Sequence, residues 1–192
     1  MNALAEARQL KAWASWRDGN APDGWFRLPM TEQAARFYAE QGFLVLQDAL
    51  RPEEVQELRD EALALCRGER GELPGSAPGE AGETDEETMR RFLCIHFPHK
   101  VSELMERYLA HPSITDVLTR VISPNVKCMQ SMLFIKAAGK PGQAWHQDEI
   151  YIPTRDRSLC GAWMALDDAT VRNGCLWAVS YTHLTLPTTE RV

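Results

Sequence analysis

The stretch Trp145-His146-Gln147-Asp148-Glu149 sets an imidazole and a carboxylate two positions apart. In an extended strand the side chains at i and i+2 project to the same face, so His146 and Asp148 can reach one metal ion. They supply two of the three arms of a 2-His-1-carboxylate set, a ligand type that leaves positions on Fe(II) open for a bidentate cosubstrate and for dioxygen. Gln147 alternates to the opposite face and reads as structural. Alone, a His-x-Asp triplet is a weak signal, because such triplets recur by chance.

The flanks sharpen it. Met129 to Lys136 leads through a Gly-Lys-Pro-Gly-Gln loop into Trp145-His146-Gln147-Asp148, followed by Tyr151, Ile152 and Pro153. Beyond come Cys160-Gly161-Ala162-Trp163-Met164-Ala165-Leu166 and then Asn173-Gly174-Cys175-Leu176-Trp177. Upstream stand Gly42 to Leu46 with a Pro-Glu-Glu helix start behind it, and His111-Pro112 ahead of Val126. In this order and spacing the chain, from about Phe37 to Trp177, resembles the phytanoyl-CoA dioxygenase family of Fe(II)/2-oxoglutarate oxygenases.

The resemblance implies an α+β chain with a mostly β core: a double-stranded β-helix (jelly roll, cupin-like) with flanking amino-terminal helices, incomplete at its carboxy terminus. It implies Fe(II) on His146 and Asp148, 2-oxoglutarate and O2 as cosubstrates, and Met132 and Trp163 lining the cosubstrate pocket. The activity implied is hydroxylation of a small organic substrate, with succinate and CO2 as co-products. Related halogenases carry Gly or Ala where this chain has Asp148, so a carboxylate there favours hydroxylation. Gln130 and Tyr151 are candidate substrate contacts, with core packing or a satisfied hydrogen bond as the competing explanation for each. A non-catalytic jelly-roll binding protein stays open as an alternative, because fold does not fix function.

The final residues depart from the family pattern. Val179 to Thr188 is similar to a translated transposase sequencing adapter, and the final Val192 fits its continuation. On that reading residues 178–192 are a non-native tail and the native sequence ends here near Trp177. The family's distal histidine ligand and its arginine for 2-oxoglutarate then lie outside the chain, His183 is a decoy, and the chain as it stands is an inactive fragment.

The 192 residues suffice for one domain with a real core. A net charge of -6 and a pI near 5.4 argue against docking on nucleic acid. No apolar run approaches the length of a membrane span, and Met1 to Arg8 lacks the basic-then-apolar plan of a secretory signal, which leaves the cytoplasm as the expected location. Oligomeric state is not legible. Five scattered cysteines, with no Cys-x-x-Cys, read as buried reduced thiols, and the six tryptophans read as packing.

The positioning elements come last. Residues 1–30 form a helical appendage, with helical composition from Ala3 to Arg17, and residues 31–177 the family-like domain. Thr31 caps a helix that Gly42 ends in a left-handed conformation, and Phe43 to Gln47 reads as a strand. Pro52 opens a second helix carrying Val55, Leu58, Ala62 and Leu65 on one face, and Gly68 stops it. Residues 68–87 are rich in Gly, Pro and Glu and read as a mobile surface loop, with a lid over substrate as the functional alternative. Phe92 to Phe97 reads as a strand, and Val101 to Ala110 and Ser113 to Val121 as helices. His96, His99 and His111 in this region read as surface or core histidines. From Val126 onward short strands alternate with breaks, ending in the hairpin signal Asn173-Gly174.

Overall fold

The computed structural model describes residues 24–71, 73, 80 and 82–178. The amino-terminal helix expected over Ala3 to Arg17 and the tail from residue 179 onward, His183 included, lie outside the described residues. The chain divides into two compact units, residues 1–49 with 177–192 and residues 50–176.

In the first unit, strand β1 (Trp25–Phe26) pairs in parallel with strand β2 (Val45–Leu46) across helix α1 (Glu32–Gln41). The sequence foretells both ends of α1. The Thr31 hydroxyl accepts from the Ala34 amide at 3.2 Å, and Gly42 closes the helix at φ 77, its N–H donating to the Tyr38 carbonyl. Phe37 meets Phe26 and Phe43 with ring centroids 5.5 and 5.7 Å apart, and Ala34 is fully buried. β1 lies in the stretch that reads as an appendage; two residues are too short a run to carry a periodic signal.

The second unit is organised on helix α2 (Pro52–Cys66). Leu58, Ala62, Leu65 and Cys66 form its buried stripe and pack with Phe92, Ile95, Met105, Tyr108 and Ile135. Burying each large side chain of this cluster contributes on the order of 2 kcal/mol. Helix α3 (Asp85–Arg90) begins inside the segment read as a loop. Its cause is a capping box: the Thr84 hydroxyl accepts from the Glu87 amide, and the Glu87 carboxylate accepts from the Thr84 amide at 2.9 Å. Strand β3 (Cys94–His96) pairs antiparallel with strand β4 (Met132–Phe134), placing His96 opposite Met132. Helices α4 (Glu103–Leu109) and α5 (Pro112–Val121) follow β3, near the expected spans.

Two polar networks tie these helices. Glu61, 7% exposed on α2, accepts from Arg70 at 2.8 to 3.0 Å and from the Ser102 hydroxyl at 2.6 Å, while Ser102 caps α4 by accepting from the Met105 amide. The Arg70 guanidinium holds the Glu61 carboxyl below its ordinary range. His111 works on three elements at once. Nδ1 accepts from the Ser113 amide at the start of α5, Nε2 faces Glu54 of α2 at 3.4 Å, and the ring stacks on Tyr108 of α4 at 5.4 Å. Arg51 beside Glu54 holds that carboxyl down to about 2, and burial pushes the Tyr108 phenol up to about 12. A structural role for His111 accords with its sequence reading.

The expected β architecture is not what the described residues form. The class is mixed helix and strand with two two-stranded sheets, and β4 is the one strand after Val126 among the described residues. At Asn173-Gly174 a 3-10 turn (Val171–Asn173) replaces the hairpin. The Asn173 side chain takes the backbone there, accepting from the Thr170 amide and donating to the Asp168 carbonyl. The thiols also differ from expectation: Cys66 is buried, Cys128 is exposed, and Cys94, Cys160 and Cys175 lie between. Trp145 and Trp163 are about half exposed (53% and 52%), not packed. No helix among the described residues is long and apolar enough to cross a membrane.

Candidate metal centre

His146 and Asp148 come together, though not as strand neighbours. Asp148 opens a single helical turn, α6 (Asp148–Tyr151), preceded by Gln147 in extended conformation. The Ile152 amide closes the turn on the Asp148 carbonyl at 2.8 Å. A carboxylate at the first position of a turn is favoured by the free N–H groups there, a local preference that overrides the period-2 pattern. In the result His146 Nε2 lies 3.2 Å from Asp148 Oδ1.

The ring's other nitrogen is committed. His146 Nδ1 donates to the Ala144 carbonyl at 2.7 Å, which in the neutral ring leaves Nε2 as the acceptor nitrogen, 3.2 Å from a carboxylate oxygen. At that separation Nε2 and Oδ1 could both ligate one metal ion. Two ligands at right angles on an ion about 2.1 Å away sit about 3.0 Å apart, close to the separation observed. A backbone carbonyl fixing the tautomer of the far nitrogen is the usual support for a ligating histidine.

The other candidate residues fall into two places. Tyr151 presents its ring to His146 edge-on, with centroids 6.1 Å apart, and is 69% exposed. Trp163 follows Gly161 by two residues, and a Cβ on Gly161 would stand 3.9 Å from Asp148 Oδ2, so the Cys160–Leu166 run passes beside the carboxylate. Leu166 packs on the core cluster, and Asp167 pairs with Arg59 of α2 at 2.9 Å, which anchors that run. Gln130 and Met132 sit together on the approach to β4, the Gln130 amide 3.6 Å from the Met132 sulfur. Among the described residues no hydrogen bond joins this pair to His146 or Asp148.

Two further residues shape the centre without having been singled out in the sequence. The Lys136 ammonium donates to the Pro141 carbonyl at 2.8 Å and folds back the loop that delivers His146. Glu149 accepts from the Thr154 amide and hydroxyl and from the Leu159 amide, and these bonds, the Thr154 backbone first, hold its carboxyl below its ordinary range. A glutamate directly after a candidate ligand and a Thr behind Pro153 are the sequence signals of that loop closure.

Comparison with known proteins places the chain in a family. The family described as Phytanoyl-CoA dioxygenase (PhyH) matches residues 38–192, and the chain belongs to it. The chain is 25% identical over 183 residues to Phytanoyl-CoA dioxygenase 1 of Oryza sativa subsp. japonica, covering 80% of this chain and 65% of the relative. It is 30% identical over 158 residues to the peroxisomal Phytanoyl-CoA dioxygenase of Bos taurus, covering 77% and 46%. A more distant relative, 21% identical over 155 residues (80% and 54%), is named a probable alpha-ketoglutarate-dependent hypophosphite dioxygenase of Stutzerimonas stutzeri. The chain thus spans between about half and two thirds of the length of these relatives. No solved structure matches it.

Proposed function

We propose that the chain is a 2-oxoglutarate-dependent non-heme iron dioxygenase that hydroxylates a small organic substrate, with His146 and Asp148 as two Fe(II) ligands. The observation that carries the reading is the His146 Nε2 to Asp148 Oδ1 approach with Nδ1 bound to the Ala144 carbonyl. Family membership supports the dioxygenase class, and the alpha-ketoglutarate dependence in the name of the Stutzerimonas stutzeri relative supports the cosubstrate. The family's jelly-roll architecture and residence in the cytoplasm belong to the same proposal.

Bound Fe(II), 2-oxoglutarate and O2 would supply the oxidation, with succinate and CO2 released. The chain's residues do the rest. Ala144 holds the His146 tautomer with its Nε2 lone pair outward, and Asp148 supplies the anionic oxygen beside it. Met132 and Trp163 would flank the cosubstrate, and the Gln130 amide and Tyr151 hydroxyl would orient the substrate. Among the described residues no group of three His, Cys, Asp or Glu side chains could hold a metal. A second reading is a non-catalytic jelly-roll binding protein, because fold does not fix function.

The test is Fe(II) binding and Fe(II)-dependent succinate formation from 2-oxoglutarate under O2, for the parent, His146→Ala and Asp148→Ala. Succinate formed by the parent and lost in both variants supports the dioxygenase. Iron bound without turnover favours the second reading, and a parent that binds no Fe(II) rules out the metal centre.

A further inference from the structure

Glu149 stands beside Asp148 and has the chemistry of a further metal ligand, yet both its carboxylate oxygens are engaged elsewhere. Oε1 accepts from the Thr154 amide at 2.6 Å and from the Thr154 hydroxyl at 2.7 Å, and Oε2 accepts from the Leu159 amide at 3.0 Å. The Thr154 hydroxyl in turn accepts from the Ser158 amide at 2.9 Å. Four hydrogen bonds therefore close residues 149–159 into a ring. The ring also contains Arg157 at φ 51, a left-handed backbone that a non-glycine residue holds only where its surroundings impose it.

What the ring delivers is the segment that follows it. Leu159, whose N–H is the last member of the ring, leads directly into Cys160 and Gly161, and Gly161 is the residue beside Asp148 Oδ2. Turning either Glu149 oxygen to a metal would strip a half-buried backbone N–H of its acceptor, a loss that geometry elsewhere in the loop does not replace.

We infer that Glu149 is a positioning residue: it staples residues 150–159 so that the Cys160–Trp163 segment runs beside Asp148, and it is not itself a metal ligand. The inference deepens the metal-centre reading and rests on it for the role of Asp148.

The test uses the full chain and its Glu149→Ala, Glu149→Gln and Asp148→Ala variants, with Co(II) as the metal probe and trypsin as the probe of the loop. Arg155 and Arg157 lie inside the ring, so the initial rate of cleavage after them, read by mass spectrometry, reports whether it is closed. Glu149→Ala is expected to raise that rate about tenfold, and Glu149→Gln, which keeps one acceptor oxygen, less than about threefold. Co(II) affinity in Glu149→Gln is expected within about twofold of the parent, against a loss above tenfold in Asp148→Ala. The ligand-field spectrum of bound Co(II) should change in Glu149→Ala and return in Glu149→Gln.

Unchanged cleavage in both Glu149 variants would overturn the staple. An open loop in Glu149→Ala with the parent's Co(II) spectrum would reduce Glu149 to a structural residue. A Co(II) loss in Glu149→Gln as large as in Asp148→Ala would make it a ligand after all. Should Glu149→Ala not fold, Glu149→Gln decides between these by the same readouts. A parent that binds no Co(II) would remove the metal centre itself, an outcome separate from the loop result.

Discussion

Replacing Ser102 by Ala removes one oxygen that serves two helices, and the structure sets the cost. The hydroxyl is 2% exposed, donates to Glu61 at 2.6 Å and accepts from the Met105 amide at 3.1 Å. Loss of a helix cap costs about 1 kcal/mol. Loss of a hydrogen bond to a buried charged carboxylate adds about 2 kcal/mol. The sum of about 3 kcal/mol corresponds to a fall in Tm of roughly 6–12 °C in a chain of this size. Far-UV circular dichroism followed against temperature and urea measures it.

The same variant has a pH signature. Arg70 lowers the folded-state pKa of Glu61, so the carboxylate's contribution is complete above the unfolded value of about 4.3 and is lost as pH falls through the folded one. The difference between Ser102→Ala and the parent should therefore shrink in acid toward the cap's share alone, about 1 kcal/mol. A destabilisation below about 0.5 kcal/mol at neutral pH, or one that does not shrink in acid, would refute the assignment of Glu61 as the ionised hub of this network.

Two further outcomes follow from burial and backbone geometry. Burial pushes the Cys66 thiol up to about 11 and closes it off, so at mildly alkaline pH a thiol reagent should label exposed Cys128 in the folded chain and Cys66 only after denaturant is added. Gly42→Ala should cost about 1 kcal/mol, measured in urea, because φ 77 strains any L side chain even though no atom lies within 4 Å of a Cβ there.

Helix ends were the most legible part of the chain, because a cap is written in one or two residues. Thr31 caps with its hydroxyl, Gly42 takes the left-handed conformation that a missing Cβ allows, and Pro52 opens its helix at the first position. Composition misled at Thr84: the Gly, Pro and Glu content of residues 68–87 masked a capping box whose two residues were in plain view. The candidate centre was legible as residue types and not as geometry. His146 and Asp148 do meet, through a helical turn whose first position attracts a carboxylate, where strand alternation had supplied the argument. The pairing of His96 with Met132 joins segments far apart in sequence, and no local pattern encodes such a register. The role of Glu149 is not legible in the sequence because its partners, the Thr154 and Leu159 amides, are set by loop closure and not by spacing on any regular element.

The imidazole of His111 gives the second unit a common clock. It completes the first turn of α5, rests on the Tyr108 ring of α4 and meets Glu54 on α2. Fraying of α5 at its start frees the ring, and a freed ring leaves the Tyr108 face to water and Glu54 with Arg51 alone. The first turns of α2 and α5 and the last turn of α4 are therefore expected to open together, with amide exchange on α2 tracking that of the other two although 57 residues separate Glu54 from His111.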